Sequence, residues 1–255
     1  MQRVLLSLLS IALMLPTAVS AAEGKGKLLE LQVFLGDKAV GTEALRTTKG
    51  EESTLYASEA QLKDKVAGEG WKSFRQRAVT VLTPAGDLSG YDRWIDLAGA
   101  TQQLKLFQFN GQWRIVVSDP VVNGKKPKPR LTELKTKTIQ VVLDERLPSL
   151  IVVALERIGA AETVDYVRVD DASSGRLKVT QEAVVDGAGN RYQRTRLDSD
   201  KLHLQVVKDA GGRVLAVQGI DGWRATAKDA KVPKDLRVDA PAAVPPKAST
   251  PSAAE

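Results

Sequence analysis

Along most of the chain, apolar and polar residues alternate one by one. In Leu29-Glu30-Leu31-Gln32-Val33-Phe34-Leu35 the residues at 29, 31, 33 and 35 are all apolar and share one face. That is the pattern of a strand with one side on a core. The same period predicts strands over residues 39–46, 53–62, 74–82, 88–97, 103–109 and 113–118. After a gap it resumes over 138–143, 163–169, 176–185, 191–197, 202–207, 214–218 and 223–226. Turn signals separate the early strands: Gly36-Asp37, Lys49-Gly50, Gly68 to Gly70, Pro84-Ala85-Gly86-Asp87 and Asn110-Gly111. Asn110-Gly111 is the strongest hairpin signal of these, because both residues accept positive φ in a two-residue turn.

One stretch has a different rhythm. In Leu147-Pro148-Ser149-Leu150-Ile151-Val152-Val153-Ala154-Leu155-Glu156-Arg157-Ile158-Gly159, Pro stands near the start, Arg157 in the last turn and Gly just past the end. These are helix boundaries, and they predict a helix of about three turns. Its middle is apolar all round, so it is expected to be buried; a buried strand through 151–153 competes with it. About a dozen antiparallel strands, each with one apolar face, twist and curl rather than lie flat. The expected fold is therefore mainly β: a curved antiparallel meander sheet, half-barrel or partly closed barrel, with one buried helix near 147–158 on its concave face.

The ends read differently. Met1-Gln2-Arg3, the apolar run 4–15 and the small residues up to Ala22 have the three-part pattern of an export signal, with cleavage expected after Ala21 or Ala22. The run is shorter than the roughly 20 residues a spanning helix needs, which disfavours the alternative of a retained anchor. No Cys follows it, so no lipoprotein anchor is expected, and no second long apolar run predicts a membrane span after cleavage. Residues 240–255 (APAAVPPKASTPSAAE) are too rich in Pro and Ala to pack. Residues 23–239 form one β-rich domain in this reading, open to division into two similar meanders, 27–118 and 138–226, joined by a basic loop. An offset near a hundred residues relates Val79-Thr80, Gly86, Tyr91, Leu104 and Leu106 to Val179-Thr180, Gly187, Tyr192, Leu202 and Leu204. Duplication and coincidence between two meanders both account for that.

Composition narrows the chemistry. The chain has no Cys and a single His, which excludes disulfides, thiolate metal sites, Cys nucleophiles and multi-His zinc sites. Absence of Cys in an exported chain fits a bacterial periplasm, so periplasmic or secreted localisation is expected. The formal charge is +6; without Arg3, 36 basic residues face 31 acidic ones. The signs are mixed except at Lys125, Lys126, Lys128 and Arg130, interleaved with Pro127 and Pro129, with Lys135 and Lys137 close behind. That loop is either a contact for an anionic surface, such as lipid head groups or an acidic envelope polymer, or a solvated linker. Export argues against nucleic acid as a partner.

His203 lies between Leu202 and Leu204 on a predicted strand, pointing away from the face they share, and is expected to be exposed rather than a catalytic base to Ser199 and Asp200. No Gly-x-Ser-x-Gly elbow occurs. Asp170-Asp171, Asp186 and Asp198-Ser199-Asp200 stand where strands should reverse, so turn chemistry accounts for them without calcium. No cofactor or phosphate-binding motif is present. Trp71, Trp94, Trp113 and Trp223 are spread over many strands, either as packing groups or as the lining of a concave apolar pocket.

With its N-terminal signal, Gly-turn meander, helix at 147–158 and closing strands of the form Asp209-Ala210-Gly211-Gly212-Arg213-Val214-Leu215, the chain loosely resembles periplasmic half-barrel proteins of the lipoprotein-carrier (LolA/LolB-like) kind and related uncharacterised envelope domains. The resemblance implies a curved sheet whose apolar concavity shields acyl chains, and it assigns no residue a role. Two functions are carried forward: a non-enzymatic envelope protein holding a lipid, amphiphile or polymer in the concavity, and an interaction module that docks an envelope protein. An envelope hydrolase ranks behind both.

Overall fold

The computed structural model describes residues 26–66, 70–121 and 124–232; the signal at 1–22 and the tail at 240–255 lie outside them. Fifteen strands form one sheet. Strands β1 (Lys27–Leu35), β2 (Lys38–Lys49), β3 (Thr54–Val66), β4 (Gly70–Leu82), β5 (Leu88–Leu97), β6 (Ala100–Phe109), β7 (Gln112–Ser118) and β8 (Arg130–Glu133) run up and down as neighbours. Strand β9 (Val141–Leu143) lies at the opposite edge, followed by helix α1 (Ser149–Ile158). Strands β10 (Thr163–Arg168), β11 (Ser174–Val185), β12 (Arg191–Asp198), β13 (His203–Asp209), β14 (Val214–Gln218) and β15 (Trp223–Ala227) then meander back, until β15 pairs with β1 over Leu31↔Ala227 to Leu35↔Trp223.

The expected architecture is present, with four corrections. The sheet is mixed, because β9 runs parallel to β10 (Tyr166↔Val141) and α1 is the crossover between them. Only 141–143 of the stretch 138–143 is strand: all three are buried, whereas Thr136 and Thr138 make side-chain hydrogen bonds on the way in. The helix begins at Ser149, two residues late, because Pro148 occupies the N-cap position. The basic segment does more than join the two meanders. It feeds β8, which returns to pair with β7, so the first meander extends to Glu133.

Alternation sorts the side chains onto two faces. Leu31 and Val33, Leu45, Tyr56, Ala60 and Leu62, Ala78, Leu104 and Leu106, Ile115, Leu197, Leu204 and Trp223 point inward into one core that also takes in the buried face of α1. A bulge between β1 and β2 sends Val40 inward along with Glu43 and Leu45, although the numbers differ in parity. There the backbones of β2 and β3 come close: a Cβ on Gly41 would lie 1.9 Å from the carbonyl oxygen of Gln61, so only glycine fits. At the Asn110-Gly111 hairpin both residues have positive φ, 50° and 76°, as the two-residue turn requires.

The edges β8 and β9 are not bonded to each other. The chain from Leu134 to Gln140 crosses between them, with the Leu134 N–H donating to the Trp113 carbonyl (2.9 Å) and the Gln140 N–H to that of Asp165 (2.9 Å). Leu134 and Ile139 are buried in the core on the way. The sheet is open in its hydrogen bonds but closed over by this crossing and the helix.

Candidate functional site

The concavity is occupied. Along α1, Ser149 to Ala154 and Ile158 are buried, and a pocket beneath the helix, between Thr80, Val142, Val153 and Arg157, holds about 10 Å³. The helix is held at both ends. At its start Glu43 accepts from the Ser149 backbone N–H (3.2 Å) and hydroxyl, and from the Ser58 hydroxyl (2.6 Å). At its end Tyr56 donates to Glu156 (2.7 Å), and the Arg157 guanidinium donates to the carbonyls of Gly86 (2.8 Å), Gln140 and Ile139.

Polar side chains also meet inside the barrel. Asp144 and Asp170 follow the parallel strands β9 and β10, and Arg93 reaches them from β5, in the other half of the sheet. Arg93 Nη1 lies 2.9 Å from Asp144 Oδ2 and 2.5 Å from Asp170 Oδ1. Tyr91 donates its hydroxyl proton to Asp144 (2.8 Å), Gln76 Nε2 donates to both of its oxygens (3.0 Å each), and the Glu145 N–H donates to Asp170 (2.8 Å). Burial pushes the Asp144 carboxyl up, but Arg93 and the hydrogen bonds from Tyr91, Arg93 and Gln76 outweigh it and leave the pKa below the usual value. Asp170 goes the other way: burial and the charge of Asp144 raise it against the pull of Arg93. Burial lifts Glu43 to about 7, against the hydrogen bonds of Ser149 and Ser58. Glu43, Ser58, Gln76, Arg93, Asp144 and Ser149 are all buried and the Asp170 side chain is only 16% exposed, so this cluster ties elements together.

Of this cluster only Asp170 is singled out from the sequence, as a turn residue; Asp171 does close the turn through the Ser173 N–H (2.9 Å), but Asp170 is paired with Arg93 instead. A signal for the others exists. Glu43, Gln76 and Arg93 occupy inward positions of their strands, in line with Leu45, Ala78 and Tyr91. A charged or amide residue in an apolar row points to a buried partner.

The residues that were singled out are dispersed. Trp113 (4% exposed) and Trp223 (1%) are in the core. Trp94 is half-buried, opposite Arg77 and Gln103. Trp71 is 40% exposed at the end of the β3–β4 hairpin, with Lys38 Nζ 3.7 Å from its ring centroid. The four do not line one cavity. Lys125, Lys126 and Lys128 are exposed ahead of β8, and Arg130, its first residue, pairs with Asp119 (3.2 Å). His203 Nδ1 is 3.1 Å from Asp198, its cross-strand partner, and the Ser199 hydroxyl oxygen accepts from the N–H groups of Lys201 (3.3 Å) and Leu202 (3.1 Å). Asp186 accepts from the backbone of Ala188 and Asn190, the Asn190 amide and the Tyr192 hydroxyl, closing its turn. Among the described residues no group of three His, Asp or Glu is placed to hold a metal ion, and no helix is long and apolar enough to cross a membrane.

On the outer face, a half-open groove of about 320 Å³ runs between Phe34, Ala216, Arg224, Thr226, Ala230 and Val232. Arg224 closes one end by donating to the Gly36 carbonyl (2.8 Å) and Asp37 (2.8 Å). Beside it Val207, Leu215 and Ala216 form a small second cluster under Ala230 and Val232.

No family model matches the chain. No curated protein matches it either. Among solved structures it is similar to a β-barrel-like protein of domain of unknown function DUF1849 from Brucella abortus, at 12% identity, over 79% of this chain and 94% of that one, with a TM-score of 0.46.

Proposed function

We propose that the protein is an exported, non-enzymatic component of the cell envelope that works as a protein–protein interaction module. One observation carries this choice. Ligand pockets span roughly 300–1,000 Å³, whereas the pocket beneath α1 holds about 10 Å³ and the helix face around it is buried. With the interior filled, recognition falls to the outside: the β8 edge, the basic segment before it and the outer face. Export rests on the pattern of residues 1–22 and the absence of Cys. The lack of a bond-breaking step is supported by His203 and Ser199 each being engaged within one hairpin.

A second reading has one observation in its favour. The outer groove, at about 320 Å³, reaches the lower end of pocket sizes, and Phe34, Ala216 and Val232 give it apolar walls. It would hold a small amphiphile outside the barrel instead of within it, as the LolA/LolB-like resemblance had implied.

Crosslinking in intact cells, combined with native mass spectrometry of the gently purified protein, separates the two. The module predicts one dominant protein partner and no co-purified lipid. Stoichiometric lipid without any protein partner would overturn it. Export predicts a mature chain beginning at Ala22 or Glu23 in the periplasmic or secreted fraction, and an intact Met1 terminus in the cytoplasm would refute it.

A further inference from the structure

We infer that the outer edge of β8 takes up an extended acidic segment of a partner protein as an added strand, an inference that rests on the interaction-module reading and names its partner class. Three observations converge on this edge. The first is backbone geometry. Among the described residues β8 is the last strand of the sheet and pairs with β7 alone, over Arg114↔Glu133 to Val117↔Arg130. The Leu134 N–H donates to the Trp113 carbonyl, so 134, 132 and 130 are the residues bonded toward β7. By the alternation of an antiparallel ladder, the N–H and C=O of Leu131 and Glu133 then point away from it, along the open edge. All four residues of β8 are exposed, so the edge is accessible.

The second observation is charge. Between residues 124 and 138 there are six basic residues and a single acid, Glu133, a net +5 against +6 for the whole chain. The rest of the protein is close to neutral, so the excess charge is concentrated at this edge. Glu133 is itself spent on Arg114 (2.7 Å), and Arg130 on Asp119. Lys125, Lys126, Lys128, Lys135 and Lys137 are exposed and have no ion pair among the described residues. They flank the open backbone on both sides, ready to meet carboxylates on either end of an incoming strand.

The third is a side chain. Leu131 is 56% exposed in the middle of the edge, opposite the half-buried Val116 of β7. An apolar residue at every second position of the guest would cover it, because alternate side chains of an added strand fall on the same face. Main-chain bonds would supply affinity and the lysines the preference for acids. A basic patch on anionic lipid needs only the charge, and leaves the open backbone and Leu131 without a role.

The test uses the mature chain and a fluorescent eight-residue peptide of alternating glutamate and valine, with two controls: the same peptide N-methylated at alternate residues, and one of alternating lysine and valine. Vesicles of phosphatidylglycerol form a further arm. Leu131→Pro removes one outward N–H without touching the β7 ladder, a position where an edge strand accepts proline; its melting curve checks that it folds. The glutamate peptide is expected to bind, with affinity falling as salt rises, and to weaken at least tenfold on N-methylation, with Leu131→Pro, or with Lys125→Glu/Lys126→Glu/Lys128→Glu. Lack of peptide binding, equal binding of the methylated peptide, or indifference to Leu131→Pro overturns strand addition. If vesicles bind and the peptide does not, the segment is an anionic-surface contact. A dominant cellular partner whose crosslinks lie away from 125–137 would sink this edge while leaving the module standing; absence of any protein partner would remove both.

Discussion

At the scale of single residues, Glu43 shows what burial does to an acid at a helix start. Its carboxylate caps α1 through Ser149 and also takes the Ser58 hydroxyl, and the nearby Asp144 adds repulsion to the cost of burial. The pKa of about 7 lies above the unfolded value of 4.5, so the native state holds this proton more tightly than the unfolded chain. The resulting stabilisation is full below pH 4.5 and is lost as pH rises through 7. Glu43→Gln keeps an acceptor for the Ser149 N–H and never ionises. It is expected to change little at pH 5 and to be more stable than the wild type at pH 8.5 by about 2–3 kcal/mol. Urea unfolding of both proteins at the two pH values measures it; an equal difference at both would show that Glu43 is not the titrating group. The same residue shows a limit of sequence reading. Glu43 shares its parity with Leu45 but not with Val40, so the apolar residues of β2 read as pointing to both faces until the β1–β2 bulge, which sets Val40 and Glu43 on the same side, is known.

At the scale of elements, legibility followed periodicity. The long strands could be read because one face was apolar in unbroken alternation, and α1 because proline and glycine bracket it. β8 and β9 escaped or were misplaced for opposite reasons: Arg130–Glu133 is exposed throughout and Val141–Leu143 buried throughout, so neither carries a period of two. A concave face covered by the helix was expected; its being filled was not, because packing density leaves no trace in a pattern. The bulge supplies the test at this scale. Gly41→Ala sets a Cβ against a carbonyl of β3 that cannot swing away, and should cost at least about 2 kcal/mol, in the range of overpacked sites. Gly90→Ala, in β5, meets its nearest atom, the Leu106 oxygen, at 3.4 Å and should be neutral to slightly stabilising. Thermal melts of the two variants decide the point: similar losses would mean that glycine is needed in these strands for reasons other than close approach.

At the scale of the whole molecule, an open sheet of fifteen strands needs something to keep its two halves together. Among the described residues the strands bond across the halves where β1 meets β15; further ties are the core around α1 and the hydrogen bonds at its two ends, the 134–140 crossing, Arg146–Asp64 (2.8 Å) and the Arg93 cluster. Arg93 belongs to the first meander, and both its acids belong to the second. Removing it therefore does more than delete one ion pair: it leaves two buried carboxylates facing each other with no cation between them. Arg93→Met is expected to cost about 3–5 kcal/mol at pH 7.5, as for other buried pairs that lose one partner. Each carboxyl would then hold its proton above its unfolded pKa, so the deficit should shrink toward pH 4.5, where protonation relieves the repulsion. Adding Asp144→Asn and Asp170→Asn to Arg93→Met should recover much of the loss at pH 7.5, since a neutral set carries no unpaired charge. Unfolding curves for both variants at the two pH values make the case. If the deficit of Arg93→Met is the same at both, or the asparagines restore nothing, the arginine matters for the volume it fills and its charge is not a tie between the halves.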